Sequence, residues 1–210
     1  MISGPAHGVV FGAGDSPSCT AEKVLFLDRD GVINDNRGYV HTIEETEWVP
    51  GIFDLCHAAQ AAGYACIVVT NQAGIARGYY SEAEFIAYTQ WMHAQFAVRG
   101  TPLLATYFCP HHPTAGVGAY KVACDCRKPG PGMLEGARRR FEIRMSRSVL
   151  VGDKPGDMRA GQAAHVGNLF LLEGGESPQR ARAEAPEGTV RCSSLAVVRR
   201  HFLRNDQRAY

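Results

Sequence analysis

The sequence has no excess of charge of either sign: 22 basic residues stand against 21 acidic ones, a formal net charge of +1. Such a balance leaves no electrostatic footprint for nucleic acid or for an anionic membrane surface, and both are excluded as expected partners. No apolar run is long enough to cross a bilayer, and no start resembles a secretory signal. The expectation is a cytoplasmic protein. There is no coiled-coil stretch and no inserted second domain, so a monomer is expected. In a reducing compartment disulfides are rare, and the seven cysteines point instead to metal ligation or buried thiols. Cys56 and Cys66 lie inside apolar segments as core fillers, and Cys19 and Cys192 fall in the terminal regions. Cys109, Cys124 and Cys126 fall close together.

What is present is a globular composition, 45% hydrophobic and 20% charged over 210 residues, enough for one sizeable core. Residues 1–22 begin rich in Gly, Pro, Ser and Ala without periodicity, which predicts a flexible extension; residues 23–210 are expected to form a single domain. Short apolar runs predict strands at 24–27, 64–69, 103–108, 148–151 and 168–172, with a last one at 189–191. Amphipathic spacing predicts helices over 51–62, 133–141, 157–165 and 194–203. Another opens at Ser81, where Glu84 three residues on completes a capping box. Strands alternating with helices imply an α/β fold: a three-layer, doubly wound, mainly parallel sheet without a large cap domain. The alternation does not specify strand order. Ligands in such sheets bind beyond the carboxyl ends of the strands.

Those ends carry the chemistry. The run at 24–27 delivers Asp28 and Asp30 onto a turn at Gly31, and two acids beside a core are costly unless something pairs with them. An Asp/Gly turn alone would be the plain reading. Elsewhere, however, Thr70 ends a second strand, Lys128 follows a loop, and Asp153 and Asp157 follow the strand at 148–151. Hydrolysis of a phosphate monoester needs a nucleophile, a proton donor, a cation and fixed donors for the phosphoryl oxygens. Asp28 can be the nucleophile, and Asp30 the acid and base. Thr70 offers a hydroxyl, and Lys128 a positive charge. Asp153 offers a carboxylate for Mg²⁺, with Asp157 bracing it.

A second constellation is Cys109 and His111, then Cys124 and Cys126. Three thiolates and an imidazole suit a closed tetrahedral zinc site, and an unstapled loop over 109–126 would be unusually long for a compact domain. On residues alone zinc is the favoured reading, with buried thiols left open and His112 the other candidate imidazole. Arg127 and Lys128 directly follow Cys126, so a zinc clamp would hold both cations against the phosphoryl site.

The chain resembles the haloacid dehalogenase superfamily of phosphatases, and within it the heptose bisphosphate phosphatases. The resemblance runs over about residues 23–173. It is carried by Asp28-Arg29-Asp30-Gly31, Gly38-Tyr39-Val40-His41 and the stretch from Val69-Thr70-Asn71-Gln72-Ala73 to Gly78. Cys109-Pro110-His111-His112-Pro113, Cys124-Asp125-Cys126-Arg127-Lys128-Pro129 and Val151-Gly152-Asp153-Lys154 complete it. It implies a Mg²⁺-dependent hydrolase that removes the 7-phosphate of D-glycero-D-manno-heptose 1,7-bisphosphate through an aspartyl phosphate. The substrate would be a small sugar phosphate of carbohydrate metabolism, on the route to lipopolysaccharide. Mg²⁺ would bind Asp28, the backbone carbonyl of Asp30, and Asp153; Zn²⁺ would bind Cys109, His111, Cys124 and Cys126. Substrate contacts would come from Asn36, Arg37, Gly38, Tyr39, Thr70, Asn71, Gln72, Ala73, Arg127, Lys128 and Lys154. Ala73 stands where the family often has serine. Histidinol-phosphate phosphatase, a relative with a similar zinc loop, is the alternative activity. A non-catalytic zinc-bearing interaction module is the alternative of a different kind.

Overall fold

Four consecutive apolar residues without alternation, Val24 to Leu27, suit only a strand covered on both faces, and that strand lies at the middle of the sheet. The computed structural model describes residues 7–12, 19–173 and 185–206. Its strands are β1 (Gly8–Phe11), β2 (Val24–Leu27), β3 (Ala65–Asn71), β4 (Leu103–Cys109), β5 (Val149–Gly152), β6 (Asn168–Leu172) and β7 (Val190–Cys192). Its α-helices are α1 (Ile52–Ala61), α2 (Ala73–Ala76), α3 (Glu82–Val98), α4 (Gly132–Phe141), α5 (Pro155–Ala163) and α6 (Leu195–Asp206). The strand order is β1-β4-β3-β2-β5-β6-β7. Every pairing is parallel except that of β1 with β4. The chain winds outward from β2 through β3 to β4, then returns to β5 on the other side. The crevice between β2 and β5 is therefore the switch point at which such sheets bind ligands.

The two faces of β2 sort the core. Leu25 and Leu27 pack with Val68, Val151, Leu55, Phe96, Val198 and Phe202 under α1, α3 and α6. Val24 and Phe26 pack with Ile67, Leu150, Leu134, Phe141 and Met158 under α4 and α5. Each fully buried side chain of this size is worth about 1.5–3 kcal/mol, and a one-residue slip of β2 would exchange its two faces. Ser81 and Glu84 form both halves of the capping box on α3. The helix expected at 157–165 starts at Pro155, because proline is suited to a first helical turn whose N–H has no partner. Among the described residues, no helix is long and apolar enough to cross a membrane.

The reading of residues 1–22 as a flexible extension is corrected over Gly8–Phe11, which covers the edge of β4 as its antiparallel neighbour. Four residues that begin with glycine and are followed by another are too short for periodicity to register. Gly8 is required there, since a Cβ would lie 2.1 Å from the Phe108 ring. The segment at 174–184 lies outside the described residues.

A buried titratable group in α3 yields a pH expectation. His93 faces Thr106, with Nε2 2.8 Å from Oγ1, and burial pushes its pKa down to about 4. The unfolded chain binds this proton near pH 6.5 and the folded chain does not, so stability is present above pH 6.5 and lost as pH falls toward 4. The slope from this one group is at most about 1.4 kcal/mol per pH unit. Urea unfolding between pH 7 and 5 is expected to show that slope, and His93→Gln to reduce it; an unchanged slope would refute the assignment.

Candidate active site

Asp28 is the first residue past β2, and its N–H still donates to the carbonyl of Val151 at 2.9 Å, so its backbone remains pinned to β5. The chain then turns tightly, with the N–H groups of Ile33 and Asn34 donating to the Arg29 carbonyl at 2.8 and 3.1 Å. Gly31 permits this turn twice over: its φ is +94°, and a Cβ there would lie 2.4 Å from Asp153 Oδ2. The exits of β2 and β5 are thereby brought together. Carboxylate oxygens of Asp28, Asp153 and Asp157 all lie within 4.8 Å of one another, and all three residues are buried.

Lys128 reaches into this group with Nζ 2.9 Å from Asp28 Oδ1 and 2.6 Å from Asp157 Oδ1. Its third N–H donates to the Val69 carbonyl at 2.8 Å. Asn71 clamps the Lys128 backbone, accepting from its N–H and donating to its carbonyl, both at 3.0 Å. Lys154 Nζ lies 3.1 Å from both Asp153 oxygens, while the Lys154 N–H donates to Asp157 at 3.0 Å. Two cations thus face three buried acids. Burial would raise the Asp28 pKa, but Lys128 and Lys154 outweigh it and hold the carboxyl below its usual range. Asp153 is pushed up to about 7, chiefly by burial and then by the Asp28 charge. Burial also raises Asp157 despite Lys128. A surplus of buried negative charge on hard oxygen donors fits a divalent cation such as Mg²⁺.

Asp30 sits differently. Its carboxylate accepts from Arg29 Nη2 at 2.9 Å on each oxygen, from Asn34 Nδ2 at 3.1 Å and from Gln72 Nε2 at 3.4 Å. The structure therefore groups Asp28 and Asp153 with Asp157, and commits the Asp30 carboxylate to other partners; a metal contact from Asp30 would have to use its backbone oxygen. Thr70 is buried, with its hydroxyl accepting from Gln72 Nε2 at 2.8 Å. Ala73 opens α2 beside it. Asn36 and Arg37 line one cleft of ≈ 580 Å³ together with Gly31 and Asp153. Gly38 and Tyr39 lie farther along that loop, where Tyr39 meets Tyr79 edge-on at 4.8 Å. Sequence reasoning gave no role to Arg29 or Tyr80, and placed Asn34 only in a loop near the substrate. An arginine between two acids reads as solvated, and the one available signal was its position directly after a fully apolar strand.

At the end of β4 the four expected zinc residues converge. Their ligand atoms lie within 4.8 Å of one another, with Sγ separations of 3.5, 2.8 and 3.2 Å among Cys109, Cys124 and Cys126. His111 presents Nδ1, 3.5 Å from Cys126 Sγ. The other histidine, His112, uses its Nδ1 to accept from the N–H groups of Thr114 and Ala115 at 3.3 and 3.0 Å, shaping a turn. The Cys109 thiol is lowered to about 6, first by its contact with Cys126, at the expense of its neighbours: contact with Cys109 raises Cys126, and burial raises Cys124. Thiols this close, one already inclined to ionise, fit a thiophilic cation such as zinc. Arg127 donates to the His111 carbonyl at 3.0 Å, tying the cluster to the segment that carries Lys128.

Comparisons with known proteins agree with this geometry. The HAD-hydrolase-like family model matches residues 125–198. A D-glycero-beta-D-manno-heptose-1,7-bisphosphate 7-phosphatase of Vibrio cholerae is 47% identical over 88% of this chain and 98% of its own. The D-glycero-alpha-D-manno-heptose-1,7-bisphosphate 7-phosphatase of Burkholderia mallei is 52% identical over 71% of this chain and 79% of its own. A solved D,D-heptose 1,7-bisphosphate phosphatase of B. bronchiseptica, complexed with magnesium and phosphate, superposes with a TM-score of 0.75. It is 32% identical and covers 87% of this chain and 99% of its own.

Proposed function

This chain belongs to the family of D-glycero-D-manno-heptose 1,7-bisphosphate 7-phosphatases, and we propose that it removes the 7-phosphate of that sugar through an aspartyl phosphate on Asp28. The observation that carries the reading is the ion pair of Lys128 with Asp28 inside the three-carboxylate group, at 2.9 Å. It keeps the nucleophile ionised while the surrounding acids leave room for one more cation.

In this reading an Asp28 oxygen attacks phosphorus and the bond from phosphorus to the C7 oxygen breaks. The leaving alkoxide takes its proton from Asp30. Asp30, now a carboxylate, removes a proton from the water that attacks the aspartyl phosphate, and inorganic phosphate leaves with Asp28 regenerated. Lys128, Thr70 and the backbone around Asn71 and Gln72 hold the phosphoryl oxygens. Lys154 keeps Asp153 oriented. Asp28, Asp153 and the Asp30 carbonyl would hold Mg²⁺, with Asp157 beside them, and the bound ion would supply positive charge to the phosphoryl oxygens. Asn36, Arg37, Gly38, Tyr39, Ala73 and Arg127 complete the substrate contacts. Zinc at Cys109, His111, Cys124 and Cys126 is structural in this reading, and sets where Arg127 and Lys128 stand.

Histidinol phosphate as substrate has no observation in its favour, since the relatives above carry heptose names. A non-catalytic module is disfavoured by the buried Lys128–Asp28 ion pair beside Asp153 and Asp157, an arrangement suited to phosphoryl transfer. Phosphate release from the α and β heptose bisphosphates and from histidinol phosphate, with Mg²⁺ and after its chelation, tests the proposal. At least about a tenfold preference in kcat/KM for a heptose bisphosphate is expected, along with loss of turnover on chelation. Preference for histidinol phosphate would overturn it.

A further inference from the structure

Arg29 is the largest fully buried side chain among the described residues, and its guanidinium does two jobs at once. Nη2 donates to both oxygens of Asp30 at 2.9 Å, and Nε donates to Oδ1 at 3.2 Å. The same Nη2 donates to the carbonyl of Val40 at 2.6 Å, the residue directly after Tyr39 in the loop assigned to the substrate. The guanidinium carbon lies 5.4 Å from the ring centroids of Phe85 and Tyr88, both on α3. Around the same carboxylate, Asn34 donates to Oδ1 at 3.1 Å, and Gln72 has its Nε2 3.4 Å from Oδ2. The Gln72 amide is oriented by Tyr80, whose hydroxyl donates to Oε1 at 2.6 Å.

We propose that Arg29 is a positioning residue: one buried guanidinium sets the plane of the Asp30 carboxylate and anchors the substrate loop at Val40, so the proton donor and the bound sugar share a single reference point. The inference deepens the function proposed above and rests on Asp30 being its acid and base. A purely architectural ion pair is the competing account. Buried pairs of that kind are often matched in stability by apolar residues of similar volume, so architecture alone gives little reason for a guanidinium here. Its fork shape does: a planar group can hold both carboxylate oxygens and a carbonyl together, which a lysine ammonium cannot reproduce.

The test exploits the leaving group. With benzyl phosphate, the bond from phosphorus to the benzyl oxygen breaks and the alkoxide needs the Asp30 proton. With p-nitrophenyl phosphate, the phenolate leaves without one. kcat/KM, which reports events through formation of the aspartyl phosphate, is compared for Arg29→Lys, Arg29→Met and Asp30→Asn. We expect both Arg29 variants to lose roughly 10²-fold on benzyl phosphate and only a few-fold on p-nitrophenyl phosphate, with a raised KM for the heptose bisphosphate. Arg29→Met keeps the test open if Arg29→Lys fails to fold. Equal losses on the two aryl-bearing substrates, or none, would overturn the inference while Asp30→Asn still discriminates between them. If Asp30→Asn itself shows no discrimination, the acid assignment fails and the role of Arg29 fails with it.

Discussion

Asp28→Asn is expected to cost at least about 10⁴-fold in turnover and yet not to lower the Tm of the metal-free protein. The first half follows from removing the proposed nucleophile, since an amide oxygen cannot form the aspartyl phosphate. The second half follows from the local charge balance. Lys128 loses one partner but keeps Asp157 at 2.6 Å, so no cation is left buried and unpaired. The Asp28 charge is meanwhile a cause of the raised pKa of both Asp153 and Asp157, and its removal relieves them.

The sign is worked out from Asp153. Its folded pKa of about 7 lies above the unfolded value of 3.8. The folded state therefore holds the proton more tightly, and this contribution to stability is full below pH 3.8 and lost as pH rises through 7. At pH 8 without metal, the wild type carries the full repulsion and the variant carries less. Thermal unfolding at pH 8 in chelator, beside phosphate release in Mg²⁺, checks both halves. A Tm that drops by more than a few degrees, or turnover within tenfold of wild type, would refute the arrangement.

If Cys109, His111, Cys124 and Cys126 hold zinc as proposed, stripping it is expected to have the second largest effect, lowering Tm by about 5–10 °C and turnover by roughly 10- to 100-fold. The segment between His111 and Cys124 has few apolar anchors: Val117 is 67% exposed, and the short 3₁₀ turn Gly118–Tyr120 has no buried residue. Besides the cluster, the loop is held by backbone bonds from Val117 to the Ala76 carbonyl and from His112 to the Tyr120 carbonyl, and by Tyr120 packing beside Phe85 and Phe108. What the cluster closes is adjacent to the chemistry, through the bond from Arg127 to the His111 carbonyl and the next residue, Lys128. Without the clamp, Lys128 must find Asp28 and Asp157 from a loosened chain. The measurement is Tm and turnover after treatment with a zinc-selective chelator and return of Mg²⁺, with Cys124→Ser as the genetic equivalent. If both stay at wild-type values, a structural zinc is ruled out.

Much of this architecture was legible because its signals are local. A four-residue apolar strand ending in two acids, a Ser81–Glu84 capping box, and the order of Asp28, Thr70, Lys128 and Asp153 can each be read without knowing what lies across the sheet. So can the cysteine and histidine spacing, because metal ligands must be chemically apt wherever they fold. The edge strand Gly8–Phe11 was hidden because its only justification is the open side of β4, which is absent from its own sequence. Arg29 was hidden for the same kind of reason: a guanidinium between two acids looks solvated until α3 and Val40 close over it.

The sequence by itself determined which groups are available: two acids at the exit of a buried strand, a lysine, two further acids, three thiols and two imidazoles, all set by side-chain type and position along the chain. Only the tertiary structure decided how those groups share charge. It placed Asp157 in contact with Lys128 and beside Asp28 and Asp153, turned the Asp30 carboxylate toward Arg29 instead, and set the His111 ring among the thiols while His112 shapes a turn. Each choice depends on distances between segments far apart in the chain, such as β2 against β5 and the zinc loop against β3. Asp28, the acid on which the whole reading turns, owes its place at the strand exit to the local sequence and its ion pair to Lys128, a hundred residues away.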